Sequence, residues 1–363
     1  MNQKNSKSAL IEKDGIQQPE IFSEIAVSKI AGFRKQQPTS DELIQGILNK
    51  DKVALSRAIT LIESTNSAHS EKASQVINAC LPKANNSIRI GITGVPGVGK
   101  STFIEAFGKH LTNLGKKVAV LAVDPSSTIS HGSILGDKTR MQELVIDENA
   151  YIRPSASGET LGGVARKTRE AIILCEAAGF DIIIIETVGV GQSETAVHSM
   201  VDFFLLLKIS GAGDELQGIK RGIMEMADAI VINKADGDNI NKANLAKVEF
   251  NRALHLFPPK KSGWNPIVTT CSSIEKEGID AIWQTILSYL EITKSNNYFD
   301  EKRQNQNEFW MLETINEKLK NNFYNHSEII NLLEKYKNEV LENKISPFSA
   351  ASELLKIYSK IKS

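Results

Sequence analysis

Short apolar runs alternate with amphipathic helical segments between residues 87 and 270. Such runs are typical of strands buried on both faces, and their alternation with helices predicts an α/β fold with a mainly parallel, doubly wound sheet. The predicted strands span residues 87–93, 118–123, 181–185, 203–209, 229–232 and 266–270. Because ligands of such sheets bind beyond the carboxyl ends of the strands, functional side chains are expected just after these runs.

The stretch before the first strand has helical periodicity from residue 39. Thr39 and Glu42 form a capping-box pattern ahead of a first helix. Asp51 can cap a second helix, and a third, over residues 71–81, stops at Pro82. We therefore predict a polar tail over residues 1–38, a helical extension over 39–84 and an α/β domain over 85–294.

Beyond residue 295 the composition shifts to Asn, Lys and Glu, and apolar residues recur at helical spacing. Ser346 and Pro347 suit the cap and first turn of a final helix. Helices this sparse in core residues need a partner surface. Residues 295–363 are therefore expected either to pack on the α/β domain of the same chain or to form a dimerisation arm.

The composition is that of an ordinary globular enzyme. The 363 residues include 43 basic and 43 acidic side chains, so the chain lacks the broad positive field of a nucleic-acid protein. The first residues are polar, and no apolar run reaches membrane-spanning length, so a cytoplasmic protein is expected. Cys80, Cys175 and Cys271 lie far apart and are expected to be small buried apolar residues.

A complete phosphate-binding loop follows the first predicted strand and opens a helix. Its residues are Gly94, Val95, Pro96, Gly97, Val98, Gly99, Lys100, Ser101 and Thr102. The glycines allow successive backbone N–H groups to turn around a phosphate, and the helix adds its positive amino end. Lys100 is expected to reach the β- and γ-phosphates, while the Ser101 hydroxyl is the expected ligand of a Mg²⁺ ion.

A guanine-reading motif follows the predicted strand 229–232 and comprises Asn233, Lys234 and Asp236. The Asp236 carboxylate can accept from the guanine ring N–H and exocyclic amine, two donors that adenine lacks. Asn233 is expected at the other edge of the base, and the stem of Lys234 along the ring. Further on, the backbone N–H groups of Ser272, Ser273 and Ile274 are expected to meet the guanine oxygen. Together with the phosphate loop, this motif predicts GTP as the ligand.

Three acidic residues are candidates for a place near the metal. Asp124 and Glu186 end apolar runs, and Asp137 lies in the stretch 131–141. Taken alone, a carboxylate at a strand end can equally be a helix cap or a solvated group. Phosphoryl transfer needs mainly charge neutralisation and a positioned water molecule, which Lys100, Mg²⁺ and these groups could supply.

Several segments closely resemble the methylmalonyl-CoA mutase-associated GTPases, the MeaB-like proteins. They are residues 57–63, 94–102, 123–127, 186–194 and 213–220. The resemblance runs from about residue 40 into the C-terminal helices and is most specific in the α/β domain. It implies a homodimeric P-loop G protein that serves an adenosylcobalamin-dependent acyl-CoA mutase as a chaperone, gating cofactor delivery and protecting the mutase from inactivation.

The resemblance also implies roles for individual residues. Asp124, Asp137 and Glu186 would hold or orient Mg²⁺ and its water molecules. Asp214, Gln217 and Lys220 would transmit contact with the partner, although a solvated loop is the alternative from sequence alone.

The residue after Gly189 is Val190, where better-known small GTPases often place a water-orienting glutamine. Gln192 or Glu194 could take that part after a loop movement. We therefore expect slow intrinsic hydrolysis of GTP that a partner accelerates.

Three other classes are compatible with parts of the pattern. An ATP-dependent kinase of an amino-acid transport system is disfavoured by Asp236. A metal-insertion GTPase would be expected to cluster Cys and His ligands, whereas this chain scatters them. A non-enzymatic scaffold would still bind and regulate its partner after Lys100 is replaced by alanine.

Overall fold

The computed structural model describes residues 38–64, 66–123, 141–154, 161–187, 193–211 and 221–362. All elements below belong to the compact unit that begins at Ser40. The strands are β1 (Ile88–Gly94), β2 (Val118–Val123), β3 (Ala150–Arg153), β4 (Ile182–Thr187), β5 (Phe203–Ile209), β6 (Ala229–Asn233) and β7 (Ile267–Thr270). The helices are α1 (Ser40–Leu48), α2 (Lys52–Glu63), α3 (Ser67–Cys80), α4 (Lys100–Asn113), α5 (Gln142–Val145), α6 (Leu161–Ala177), α7 (Ser193–His198), α8 (Arg221–Met226), α9 (Ile240–Leu254), α10 (Ile279–Ser295), α11 (Tyr298–Tyr324), α12 (Ser327–Leu341) and α13 (Pro347–Lys362).

The strands form a parallel sheet of seven in the order β3-β2-β4-β1-β5-β6-β7. The predicted doubly wound sheet is confirmed, and each predicted strand is present with bounds shifted by no more than about two residues. The edge strand β3 was not predicted, because three of its four residues are only half-buried and the strand carries a weak apolar signal. The strand order reverses at β1, which lies between β4 and β5. Sheets of this type bind ligands at such a reversal.

The two faces of the sheet bury separate apolar layers. In β4, Ile182 and Ile184 point into the layer that contains α4 and α10, whereas Ile183 and Ile185 point into the layer of α2 and α6. This alternation explains why the first four positions of the strand are all apolar, since both of its faces are covered.

The predicted helical extension packs on one face of this sheet. Asp51 caps α2 through its carboxylate, which accepts from the Val53 N–H at 2.8 Å. Leu55 and Ile59 are fully buried in the layer that also contains α6. The third helix begins at Ser67 rather than at residue 71, because Asn66 provides a cap that the sequence prediction overlooked.

A buried ion pair fastens the long helix α11 to the sheet. The Arg303 guanidinium donates to both carboxylate oxygens of Asp202 at 2.9 and 2.7 Å, and also to the Ser87 carbonyl at 2.6 Å. Asp202 also accepts from the Arg89 N–H at 2.8 Å, at the start of β1. The adjacent Arg303 holds the pKa of the Asp202 carboxyl below its usual range, despite complete burial. The carboxylate thus bonds to α11 and to β1 at the same time.

Two further side chains extend this attachment along α11. Gln306 donates to the Val201 carbonyl at 2.8 Å, and Trp310 donates its indole N–H to the Ser199 carbonyl at 3.1 Å. The first half of α11 therefore packs on the chain's own α/β domain, which is one of the two arrangements that the sequence predicted.

None of the helices in the described ranges combines the length and apolar character needed to cross a bilayer.

We expect Arg303→Met to lower the free energy of unfolding by about 3–5 kcal/mol, because it leaves the buried Asp202 carboxylate without its counterion. Lys337→Met is the matched control, since Lys337 forms an exposed pair with Glu334 at 3.6 Å, and we expect it to cost less than about 0.5 kcal/mol. Urea unfolding followed by circular dichroism measures both values. Equal costs for the two variants would contradict the anchoring role of Arg303.

Candidate functional site

The phosphate loop lies where the sheet order reverses, directly after β1. Gly97 and Gly99 have φ values of +82° and +93°, a region that side-chain-bearing residues rarely adopt. A Cβ atom at Gly94 would lie 2.7 Å from the Leu207 carbonyl oxygen of the neighbouring strand. These positions therefore need glycine for backbone conformation or for close approach. The helix α4 begins immediately afterwards at Lys100.

The Lys100 ammonium lies within the curve of this loop. It donates to the Gly94 carbonyl at 2.8 Å and to the Val95 carbonyl at 3.3 Å. Burial lowers the pKa of Lys100, while the nearby carboxylates of Glu186 and Glu194 act in the opposite direction. Both carboxylates are themselves buried. A buried lysine within electrostatic range of two carboxylates, at the start of the helix that follows the loop, suits a phosphate with an associated metal ion.

Two of the side chains predicted to hold a metal lie on elements next to β1 at this end of the sheet. Ser101 lies in the first turn of α4, and Glu186 lies near the carboxyl end of β4 with its side chain 7% exposed. The hydroxyl of Thr187 donates to that of Thr93 at 2.9 Å, which joins the ends of β4 and β1. The Ser101 hydroxyl and the Glu186 carboxylate are oxygen groups, which Mg²⁺ prefers as ligands. Within the described ranges there is no group of three or more His, Cys, Asp or Glu side chains that could hold a metal.

Asn233 joins the base-recognition strand to the phosphate loop. Its amide nitrogen donates to the Val98 carbonyl at 2.9 Å, and its amide oxygen accepts from the Ser273 hydroxyl at 2.7 Å. Both ends of this amide bond to protein groups, and the predicted contact between Asn233 and the base stays a prediction. Asn233 is 1% exposed. It therefore acts as a brace between β6, the loop and the segment after β7.

Lys234 and Asp236 complete the guanine-type motif. Lys234 donates from its ammonium to the Gly97 carbonyl at 2.9 Å, so its aliphatic stem spans the space between β6 and the phosphate loop. The Asp236 carboxylate accepts from the Ser272 hydroxyl at 2.6 Å. That bond fixes one carboxylate oxygen and orients the group for a further pair of donors.

The three predicted backbone donors after β7 differ in their contacts. Ser272 donates its N–H to the Glu277 carbonyl at 3.1 Å, and Ser273 donates its N–H to the amide oxygen of Asn233 at 3.3 Å. These two bonds shape the loop after β7, and the contact of these N–H groups with the guanine oxygen stays a prediction. Ile274 has no hydrogen bond from its N–H among the described residues, and its side chain is exposed.

Six predicted site residues lie outside the described ranges: Asp124, Asp137, Gln192, Asp214, Gln217 and Lys220. Glu194, which the sequence offered only as an alternative to Gln192, is buried in the first turn of α7 and within electrostatic reach of Lys100. Its burial could not be read from the sequence, because a short polar helix gives little periodic signal.

A phosphate loop braced by Asn233 against a guanine-type motif, on a parallel sheet with its order reversed at β1, defines a P-loop GTPase. The chain belongs to the family described as Methylmalonyl Co-A mutase-associated GTPase MeaB, which matches residues 55–328. This finding confirms the resemblance drawn from the sequence motifs.

Curated relatives agree with that membership. GTPase ArgK of Escherichia coli is 44% identical over 87% of this chain and 96% of its own length. The mitochondrial methylmalonic aciduria type A homolog of Mus musculus is 46% identical over 89% of this chain and 80% of its own. A solved structure of a protein named LAO/AO transport system kinase matches with a TM-score of 0.70 and 38% identity, over 88% of this chain and 97% of that one.

We expect Gly99→Ala to weaken GDP binding at least about tenfold, measured with a fluorescent nucleotide. A Cβ atom there would lie 2.8 Å from the amide nitrogen of Asn233, so the alanine would displace the brace as well as strain the backbone. Gly115→Ala is the matched control, because Gly115 has φ +75° but open space around its Cβ position. The control should lose about 1–2 kcal/mol of stability and keep its affinity. Equal affinities for the two variants would contradict the proposed role of the brace.

Asp236→Asn tests base recognition directly. Xanthine replaces the exocyclic amine of guanine with a carbonyl, so an asparagine N–H can pair with xanthine where a carboxylate pairs with guanine. We expect the variant to lose GDP affinity by at least about 100-fold and to prefer xanthosine diphosphate. Asp238→Asn, an exposed change two residues later, should keep the preference for GDP. An Asp236→Asn variant that still prefers GDP would overturn the assignment of Asp236.

Proposed function

We propose that this protein is the GTP-hydrolysing chaperone of an adenosylcobalamin-dependent acyl-CoA mutase of the methylmalonyl-CoA mutase type. It gates loading of the cofactor and protects the mutase from inactivation. The observation that carries the proposal is membership of the mutase-associated GTPase family over residues 55–328. The name of the Mus musculus relative, which refers to methylmalonic aciduria, also supports it.

The proposed chemistry is attack of water on the γ-phosphorus of GTP, with cleavage of the bond to the β–γ bridging oxygen and release of GDP and phosphate. Lys100 neutralises charge on the β- and γ-phosphates, and Mg²⁺ supplies further charge when bound. Ser101 and Glu186, together with Asp124 and Asp137, are the proposed residues that hold the ion and its water molecules. Glu194 or Gln192 orients the attacking water.

The proposed partner contact involves residues that follow β5 in the chain. That strand ends at Ile209 and α8 begins at Arg221, so Asp214, Gln217 and Lys220 fall between them on the chain. The carboxyl end of β5 adjoins that of β1, where the phosphate loop begins. This position in the chain, directly after a strand that neighbours β1, supports partner-stimulated hydrolysis.

The C-terminal helices support the proposed homodimer. The second half of α11, together with α12 and α13, forms an apolar groove of about 810 Å³. Leu319, Leu341 and Leu355, which line it, are 55%, 72% and 58% exposed. Exposed apolar area of this extent, continuous over three helices, is typical of an association surface. We propose that a second copy of the chain covers this groove.

A second candidate, an ATP-dependent kinase of a transport system, has support from the name of the structurally solved relative that is 38% identical. Asp236 opposes it, because its carboxylate has no donor pair to accept from on adenine. A metal-insertion GTPase has less support, because the described residues hold no cluster of His, Cys or acidic ligands.

The proposal predicts saturable stimulation of GTP hydrolysis when a cobalamin-dependent acyl-CoA mutase is titrated into the protein, with ATP as the control nucleotide. Phosphate release measures the rate. Lys100→Ala should abolish hydrolysis because it removes the charge that neutralises the phosphates, while the protein still binds the mutase. No response to the mutase would contradict the chaperone function, and equal turnover of ATP would favour the transport-system kinase.

Leu355→Asp should convert the dimer into a monomer, because it places a charge in the middle of the apolar groove. Leu245→Asp is the matched control, since Leu245 is a 66% exposed leucine on α9 of the α/β domain. Light scattering after size-exclusion chromatography at micromolar concentration reports the mass. A wild-type protein that is strictly monomeric there would contradict the proposed dimer.

A further inference from the structure

A second cleft lies at the opposite end of the strands from the phosphate loop. Asp228 and Pro266, which directly precede β6 and β7, line it, so the cleft opens at the amino ends of the parallel strands. Its volume is about 850 Å³. The second half of α7, α8, the end of α9 with the segment 255–261, and the first turns of α11 form its other walls. The GTPase chemistry described above uses none of these lining groups.

The cleft contains more positive charge than its buried acid neutralises. Lys260 pairs with one Asp228 oxygen at 2.9 Å and also donates to two backbone carbonyls. The other Asp228 oxygen accepts the Phe204 N–H at 3.0 Å. Lys302 lies farther from this carboxylate, at 4.0 Å, and is only 13% exposed. Its hydrogen bond in the described structure is to the Asp202 carbonyl at 2.7 Å.

The Lys302 ammonium can therefore donate further hydrogen bonds, and the distant Asp228 carboxylate balances its positive charge only weakly. The Asp202 carboxylate nearby is already paired with Arg303. Burial accordingly lowers the pKa of Lys302, although Asp228 and Asp202 oppose the shift. A buried ammonium in this situation gains from an additional anion.

Two further donors face the same cleft. The Tyr298 hydroxyl and the His198 ring have no hydrogen-bond partner among the residues that the structure describes, and both line the cavity with Lys302. The His198 ring packs edge-on against Phe204. Burial, with a contribution from Lys302, lowers the pKa of His198 to about 4, so the neutral ring offers one N–H at neutral pH.

We propose that this cleft binds a small molecule through an oxyanion group, a phosphate or a carboxylate, held by Lys302, Tyr298 and His198. The ammonium supplies the charge, and the hydroxyl and ring N–H supply directed hydrogen bonds. Met224, Leu254 and Phe257 line the remainder of the cleft and provide an apolar surface for the body of the ligand. Among the acidic groups near this point, Asp228 is paired with Lys260 and Asp202 with Arg303, while Glu225 lines the cleft as an exposed residue.

The test uses the full chain saturated with Mg²⁺ and a non-hydrolysable GTP analogue, so that the phosphate loop is filled. Inorganic phosphate and succinate are titrated separately at constant ionic strength, and the NMR signals of the His198 ring are followed. His198→Gln identifies those signals. We expect a saturable shift with at least one probe, and the more tightly bound probe identifies the oxyanion as phosphate or carboxylate.

Lys302→Met should weaken binding of that probe by about tenfold or more, and Tyr298→Phe should weaken it by a smaller factor. Lys261→Met is the matched control, because Lys261 is an exposed lysine in the same cleft, and its effect should stay below about twofold. Tyr298→Phe keeps the test decisive if Lys302→Met unfolds. Absence of a saturable shift with both probes would overturn the proposal. Equal losses in the Lys302 and Lys261 variants would also overturn it, because they indicate diffuse attraction.

Discussion

The hydrogen bonds of the Asn233 amide set the geometry of the whole nucleotide site. One end of this side chain bonds to the Val98 carbonyl in the phosphate loop, and the other to the Ser273 hydroxyl after β7. The loop that curves around phosphate and the segments expected to enclose the base are therefore fixed relative to each other by one buried group. Lys234 adds a second link to the loop at Gly97. A site built in this way positions a base and its phosphates as a single ligand.

Asp202 links separate elements in a similar way at the amino ends of the strands. It exchanges two hydrogen bonds with the backbone of Arg89, where β1 begins, and its carboxylate holds Arg303 of α11. Asp202 thus bonds both to β1, which leads into the phosphate loop, and to α11, which extends toward the C-terminal groove. Because these bonds are buried and charged, a change at one of the two elements is costly unless the other follows.

The sequence predicted those parts of the fold and site that depend on local pattern. The apolar runs identified six strands, and the glycines with Lys100 and Ser101 located the loop, because these features need particular residues at fixed spacing. The role of Asn233 as a brace and the burial of Glu194 beside Lys100 could not be predicted, since both depend on which strand ends become neighbours. The short edge strand β3 was missed because its half-buried residues give little periodic signal. The attachment of α11 through Arg303 likewise joins residues 101 positions apart.

We propose that these braced elements form a guanine-nucleotide site, with base identity set by Asp236. The most direct measurement is calorimetric titration of the wild-type protein with GDP and with ADP under identical Mg²⁺ conditions. We predict that GDP binds at least about 100-fold more tightly, because the partly buried Asp236 carboxylate pairs with two donors that adenine lacks. Equal affinity for the two nucleotides would contradict the account.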